Sequence, residues 1–329
     1  MGRRWVRQLA VQDWVVLAYL LVLLGAVVAG QGPRRSTAIV CAACDLALFV
    51  AALVVTRGEW VRGEWVRGAA GALVYRAGLF VAMFGSFSHL QHILPTARAV
   101  VVDAELYALD LRVLGFEPAL AFDRYVTPAT TEWFSFFYFG YFLIVAGHVF
   151  PMLLTRQPPR LLAEFALGFL ALFCVGHVLY MIVPGHGPYQ HLAGRFEHDL
   201  SGPVWWRAVK STVDSVEVTA RTDIFPSLHT GAPTYLALFS IRHRRLMPFR
   251  FTWLPLTIAT SQIVLSTMFL RWHYAVDVAA GLALATAVAT IAPRVVAWET
   301  RRRARLGAGP VWTMPWEPAR APARAPALA

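Results

Sequence analysis

Residues 224–231 read Ile-Phe-Pro-Ser-Leu-His-Thr-Gly, and residues 267–277 read Thr-Met-Phe-Leu-Arg-Trp-His-Tyr-Ala-Val-Asp. The second motif leads into an apolar run that contains Gly281. Together the motifs supply two histidines, an arginine and an aspartate at the ends of apolar segments. Ionisable residues at membrane depth are costly and usually functional, so the two motifs predict a reaction site that the rest of the chain has to assemble.

The composition indicates a membrane protein. Of 329 residues, 57% are hydrophobic and 15% are charged, whereas soluble domains carry about 25% charged residues. The formal net charge is +11, and the basic residues lie in short segments between apolar runs. This pattern is typical of topology signals and lipid headgroup contacts. We therefore expect the bilayer as a partner and no binding of nucleic acid.

The apolar runs predict an all-α fold, a polytopic bundle of about eight transmembrane helices. A helix of about 20 residues crosses the hydrocarbon layer. The first run also resembles a signal peptide, but its long apolar core favours a retained helix. We expect a single integral membrane domain over residues 1–300. By the helix length needed to cross the hydrocarbon layer, the predicted spans are 14–30, 38–55, 70–90, 133–154, 161–183, 226–241, 252–270 and 275–297.

Four segments outside the predicted spans have compositions that predict other structures. Residues 97–120 alternate apolar with charged residues and predict one interfacial amphipathic helix. The tandem repeat at 57–66 suits a loop at headgroup level. Residues 184–225 form a long polar loop, and such loops are often functional. Residues 301–329, rich in Arg, Pro and Ala, predict a disordered cytoplasmic tail.

Counting the spans places both motifs on one side of the membrane. The N-terminus, the segments 56–69, 155–160 and 242–250, and the C-terminal tail share the other side and carry most of the basic residues. The positive-inside rule makes that side cytoplasmic. The two motifs and the 184–225 loop then face the extracytoplasmic side, and we expect a bacterial cell (inner) membrane.

The second motif predicts a nucleophile and its orienting carboxylate. His273 and Asp277 are four residues apart at a helix start, so they share one face. A carboxylate there can accept the imidazole Nδ1 proton and leave Nε2 free to attack phosphorus. His229, at the same membrane level, can act as the general acid and base.

A phosphate in this site requires positive charge and N–H donors. Arg271 stands next to the nucleophile and can hold two phosphate oxygens. Pro226 suits the first turn of a helix, with Ser227 beside it, which predicts an anion site at that helix N-terminus.

The two motifs resemble the last two motifs of the type 2 phosphatidic acid phosphatase (PAP2) superfamily. The Pro-Ser-Leu-His form and the tyrosine that follows His273 are most similar to its Aur1-like branch, which includes inositol phosphorylceramide synthase. The resemblance implies a six-helix catalytic core, here within about 130–297, and no metal or other cofactor. It also implies His273 as nucleophile, His229 as acid and base, and Asp277 as the partner of His273.

The chain departs from the family pattern at the other phosphate-binding motifs. The first motif, a lysine followed by Arg-Pro, is absent, and Ser266 is followed by Thr267 where the family has arginine. Other residues must therefore bind the phosphate. The candidates, in order, are Arg271, Arg221, Lys210 and Arg207, together with Ser227.

The resulting hypothesis is a membrane-embedded, metal-independent lipid phosphotransferase or phosphatase with a phosphohistidine intermediate. Its substrate would be a phospholipid or another lipid phosphate, and transfer of a phospho-headgroup to a lipid alcohol is slightly favoured. The alternatives are a plain phosphatase of a polyprenyl or glycerolipid phosphate and a metalloenzyme that uses His229, His273 and Asp277. A further alternative is a non-catalytic lipid transporter or binding protein, although its expected paired broken helices and internal repeat are not found in the sequence.

Overall fold

The structure, a computed structural model, describes residues 8–57, 69–155, 157–216, 222–307 and 311–312. Within these ranges the chain is helical and contains no strand. Residues 58–66 of the loop predicted at 57–66, Arg221 and most of the predicted tail lie outside the described residues. The described α-helices are α1 Val11–Ala29, α2 Arg35–Arg57, α3 Ala69–Ala97, α4 Asp103–Leu114, α5 Pro118–Asp123, α6 Pro128–Leu154, α7 Pro159–Ile182, α8 Pro188–His191, α9 Trp205–Val216, α10 Leu228–Arg242, α11 Phe249–Phe269 and α12 Ala275–Arg305.

The all-α polytopic membrane fold predicted from the sequence is confirmed. In the described part of the chain, six helices are long and apolar enough to cross a membrane, namely α1, α2, α3, α6, α7 and α12. The other two predicted spans correspond to α10 and α11, which are helical but do not meet the same length and hydropathy limits. With 15 residues, α10 is about 22 Å long, shorter than the hydrocarbon layer of about 30 Å.

Helix α10 lies at the centre of the second half of the fold. It packs against α6, α7, α11 and α12. The first three helices pack on one another, and α1 and α3 also contact α7. Because α7 touches both groups, it joins the N-terminal helices to the helices that carry the two motifs.

The bundle has a basic end, at which the start of α1 meets the end of α12. The backbone N–H of Val11 donates to Glu299, and Arg303 donates to the carbonyl of Gln8. At the same end the carboxylate of Glu164 pairs with basic residues of the α7 start and the 242–249 turn, namely Arg160, Arg242 and His243. The two motifs lie at the other end.

Helices α10 and α12 approach each other unusually closely at the motif end. The Ser227 N–H donates to the Asp277 carbonyl at 3.0 Å. A Cβ atom added to Gly281 would stand 2.4 Å from the backbone oxygen of Ser227. Only a residue without a side chain fits there, which explains why a glycine follows the second motif.

Three predicted segments differ in detail from the structure. Residues 97–120 form two helices, α4 and α5, rather than one, because Gly115 ends α4 with φ of 80°. The loop 184–225 contains α8, a short 3-10 helix and α9. The start of the predicted tail, 301–305, continues α12, and Trp312 packs on Tyr75 with ring centroids 5.4 Å apart.

Candidate active site

The two motif histidines meet in a polar cavity. His229 is the second residue of α10, and His273 lies on the turn between α11 and α12. Their ring centroids are 6.2 Å apart. Both line a cavity of about 40 Å³, together with Tyr138, Tyr189, Asp223 and Trp272. The hairpin of α10 and α11 thus brings residues of distant sequence position to one place.

Asp277 lies on the same face as His273 but is hydrogen-bonded elsewhere. Its Oδ2 is 3.6 Å from His273 Nδ1, beyond the range of about 2.7–3.2 Å for such a bond. The same oxygen accepts the Tyr274 N–H at 2.9 Å and caps α12. Among the described residues, His273 Nδ1 has no hydrogen-bond partner. Catalytic hydrogen bonds are often long before substrate binds.

The aspartate just before the first motif is a site residue that the sequence reasoning missed. Asp223 lines the polar cavity beside both histidines. Burial lowers the pKa of His273 to about 4, and the nearby charge of Asp223 opposes this shift, as does the carbonyl of Ile224. Burial likewise raises the pKa of Asp223. Its position directly before the buried 224–231 motif was the signal available in the sequence.

Arg271 is tied to the polar loop rather than exposed in the cavity. Its Nη2 donates to Asp123 Oδ1 at 2.8 Å and to the carbonyl of His198. The guanidinium carbon lies 3.9 Å from the centroid of the Phe196 ring. Arg271 is not among the residues that line the cavity of the two histidines. Its Nε is buried and has no partner within the described residues, so this N–H is a donor that a phosphate can use.

Three other predicted phosphate ligands that the structure describes, Ser227, Arg207 and Lys210, do not line the cavity of the two histidines. Ser227 is fully buried and caps α10, where its Oγ accepts the Thr230 N–H at 3.2 Å. The helix begins at Leu228, so Pro226 precedes the cap and is not in the first turn as predicted. Arg207 and Lys210 are exposed residues of α9, a helix that packs against α6.

Acidic residues of α4, predicted to lie in the membrane interface, are buried against the second motif. Asp110 accepts the Ala275 and Val276 N–H groups at 2.7 and 2.9 Å. Asp103 accepts the Tyr274 hydroxyl at 3.2 Å and backbone N–H groups of the 184–225 segment. The sequence reasoning did not indicate that these two charges face inward, where they satisfy N–H groups at the start of α12. The seven-residue spacing, which puts both carboxylates on one helix face, was the available signal.

A larger apolar cavity adjoins the polar one. Its volume is about 260 Å³, and its walls come mainly from α3, α6 and α7. Tyr138, Asp223 and His229 line both cavities and form their junction. On the outer side, aromatic residues of α3 and α6 line the apolar cavity and are also partly exposed on the molecular surface, namely Phe84, Phe87, Phe142 and Phe150.

The alternative metal site is not formed as a cluster. In the part of the chain that the structure describes, no group of three or more His, Cys, Asp or Glu side chains is arranged to hold a metal ion. The metalloenzyme alternative required three ligands of one ion, namely His229, His273 and Asp277. The described structure instead forms a histidine pair with an adjacent carboxylate.

Comparison with known proteins identifies one family. The family model described as PAP2 superfamily matches residues 104–291, more than half of the chain. Neither the curated proteins nor the solved structures include a significant match to the chain. The matched range begins in α4 and ends in α12, so it contains both motifs and leaves α1–α3 outside.

Proposed function

Because the chain belongs to the PAP2 superfamily, whose members are generally phosphatases that act on lipid phosphates, we propose that it cleaves a lipid phosphate through a phosphohistidine at His273. One observation carries this proposal: the His273 and His229 rings face one polar cavity with centroids 6.2 Å apart. That gap suits a phosphorus atom with its oxygens, because reacting atoms approach to about 3–3.5 Å.

The first step forms the covalent intermediate. Nε2 of His273 attacks phosphorus, and the bond from phosphorus to the lipid oxygen breaks. His229, which enters the step protonated because the bound phosphate anion favours its charged form, donates its proton to that oxygen. Burial lowers the pKa of His273 to about 4, so the ring is unprotonated at neutral pH. An unprotonated, buried imidazole is the form that a nucleophile requires.

The second step returns the enzyme to its starting state. The oxygen of water or of an alcohol attacks phosphorus, passes its proton to His229, and the phosphorus–nitrogen bond breaks. Asp277, next to His273, stabilises the positive charge that the ring carries while phosphorylated. No step requires a metal ion, so we expect activity to persist in a chelator.

The acceptor decides between two products. Water gives a phosphatase of a polyprenyl or glycerolipid phosphate, whereas a lipid alcohol gives an Aur1-like phosphotransferase. The apolar cavity beside His229, of about 260 Å³, favours a lipid alcohol as acceptor, because its chain can be buried next to the general base once the alcohol of the first lipid has left. We propose transfer to a lipid alcohol as the second candidate on this basis.

The decisive test measures turnover and the intermediate in the same sample. Purified protein in detergent is given a panel of radiolabelled lipid phosphates, with and without a long-chain alcohol. We expect an acid-labile, base-stable phosphoprotein and a loss of at least about 1,000-fold in turnover for His273→Asn. The control is His191→Asn, because His191 also lies at the motif end of the bundle but is exposed. This variant should keep full activity.

The outcomes separate the hypotheses. Turnover by His273→Asn at the wild-type rate would refute the phosphohistidine mechanism. Release of free phosphate with no transfer to the alcohol would refute the transferase and leave the phosphatase. Lipid binding without any turnover across the panel would support the non-catalytic alternative.

A further inference from the structure

The apolar cavity contains a buried histidine that the proposed chemistry does not use. His177 of α7 is fully buried and lines the cavity. Three aromatic side chains that also line it, Phe87, Phe173 and Tyr180, each pack 5.8 Å from the His177 ring. A polar ring in such surroundings needs a hydrogen-bond partner on each nitrogen.

A chain of hydrogen bonds fixes the tautomer of His177. The Ser86 hydroxyl donates to the Met83 carbonyl at 2.9 Å, so its oxygen accepts from the Tyr19 hydroxyl at 3.0 Å. Tyr19 has then used its only proton. The 2.9 Å contact between the Tyr19 oxygen and His177 Nδ1 therefore requires that Nδ1 carries a proton and donates it.

The second ring nitrogen, Nε2, is consequently a hydrogen-bond acceptor that has no donor among the described residues. With Nδ1 protonated, a neutral His177 has a lone pair on Nε2. This atom is buried and has no hydrogen-bond partner among the described residues. An unpaired buried acceptor is costly, which indicates that a donor group is supplied by whatever occupies the cavity.

His177 lies close to the level of the reaction site. It is five residues before Ile182, the last residue of α7, hence about 7–8 Å from that end. A Cβ atom on Gly176 would stand 2.7 Å from the side chain of Leu228, so the residue before His177 touches the residue before His229. A lipid with its phosphate at His229 therefore has the next few atoms of its backbone beside His177.

We infer that the apolar cavity binds a lipid whose backbone carries a hydrogen-bond donor, a hydroxyl or an amide N–H, a few bonds from its phosphorus, and that His177 Nε2 accepts this bond. The inference rests on the proposed function, since it assigns the lipid to that same site. Tyr19 and Ser86 are then positioning residues. Both belong to helices outside the family match at 104–291, so the N-terminal helices of this chain set the tautomer of His177, which itself lies within the match.

The test compares lipids that differ only in the donor. The hydroxyl arm is 1-acylglycerol 3-phosphate against its 2-deoxy analogue. The amide arm is an N-acylethanolamine phosphate against the corresponding ester. Sites built to bond a hydroxyl or N–H reject analogues that lack it, so we expect wild-type kcat/KM to favour the donor lipid by about tenfold or more in at least one arm. The arm with the larger ratio identifies the donor.

Variants assign the preference to His177. His177→Phe keeps a ring of similar shape and should reduce the ratio to about one. Tyr19→Phe removes the hydroxyl that fixes the tautomer and should also lower the ratio, although Tyr19 does not reach the lipid. The control is Phe84→Leu, which changes an apolar part of the cavity wall and should weaken binding of all four lipids while it leaves the ratio unchanged.

Binding to an inactive protein separates this inference from the proposed reaction. Lipid retention by His273→Asn is measured by native mass spectrometry for the same two pairs. A preference for the donor lipid without turnover in wild type would support the cavity and refute the reaction. Equal binding of both members in both pairs, or a preference that survives in His177→Phe, would overturn the inference.

Discussion

A single carboxylate, that of Asp277, serves two neighbours at the residue scale. Its Oδ2 caps α12 through the Tyr274 N–H at 2.9 Å and lies 3.6 Å from His273 Nδ1. The backbone fixes the contact with the Tyr274 N–H. A shorter distance between Asp277 and His273 therefore requires movement of the imidazole ring. The capping role of Asp277 can therefore be separated from its electrostatic role. An asparagine at this position keeps an oxygen that can cap the helix but carries no negative charge.

Asp277→Asn is therefore expected to fold normally and react slowly. The amide oxygen can accept the Tyr274 N–H, but it cannot stabilise the charge that His273 would gain in the proposed reaction. By analogy with the aspartate of a catalytic triad, we expect a loss of about 10²–10⁴ in kcat. Burst kinetics of phosphoenzyme formation measure this loss. An equal fall in melting temperature for Asp277→Asn and Asp277→Ala would contradict the separation.

Glu117 makes stability depend on pH in a direction opposite to most carboxylates. Burial raises its pKa to about 8, and the neighbouring Asp110 and Asp277 carboxylates add to the shift. The folded protein thus holds a proton that the unfolded chain releases above about pH 4.5. The resulting stabilisation is complete below that pH and is lost as pH rises through about 8.

The matching variant is Glu117→Gln, which resembles the protonated side chain at every pH. We expect the melting temperature of wild type in detergent to fall between pH 6 and pH 9, and that of Glu117→Gln to fall less. Glu105→Gln, at an exposed position of α4, is the control and should follow wild type. Parallel curves for wild type and Glu117→Gln would refute a raised pKa.

At the scale of elements, α4 acts as a clamp on the start of α12. Asp103 and Asp110 share one face of α4 and accept hydrogen bonds from residues 274–276. Negative charge at a helix N-terminus is stabilising. The helix that bears Asp277 is thereby held from outside by α4 and from inside by α10.

The contact between α10 and α12 gives a prediction for Gly281. A Cβ at this position meets the backbone oxygen of Ser227 at 2.4 Å, so Gly281→Ala must push the two motifs apart. We expect at least a tenfold loss of turnover, since displacements of about 1 Å can cost 10²-fold. Gly25→Ala, where a Cβ meets nothing within 4 Å, is the control. Full activity of Gly281→Ala would show that the spacing of the motifs is not critical.

At the scale of the whole molecule, the bundle has a basic end and a motif end. We propose that the basic end is cytoplasmic and the motif end extracytoplasmic. In a variant without native cysteines, Gly194→Cys at the motif end should react with a membrane-impermeant maleimide in intact cells. Arg244→Cys, at the basic end and exposed, should react only after permeabilisation. The reverse pattern would invert the proposed topology.

Local pattern determined how much of this architecture could be predicted. Hydropathy located the long helices, and the i, i+4 spacing placed His273 beside Asp277. The pattern gave no account of Asp110 or Asp123, because their partners at 275–276 and 271 are distant in sequence. Charges in a short amphipathic segment look solvated until the N–H groups that they satisfy are known. Asp223 was missed because only the fold brings it to the cavity of the two histidines.

The exposed aromatic residues at the outer edge of the apolar cavity have a kinetic consequence. Phe84 and Phe142 line that cavity and also face outward from α3 and α6, which points to sideways admission of lipid from the surrounding leaflet. The encounter then takes place in two dimensions. In mixed micelles we expect the rate to follow the mole fraction of substrate in the surface, and to fall on dilution with inert detergent even at constant total substrate.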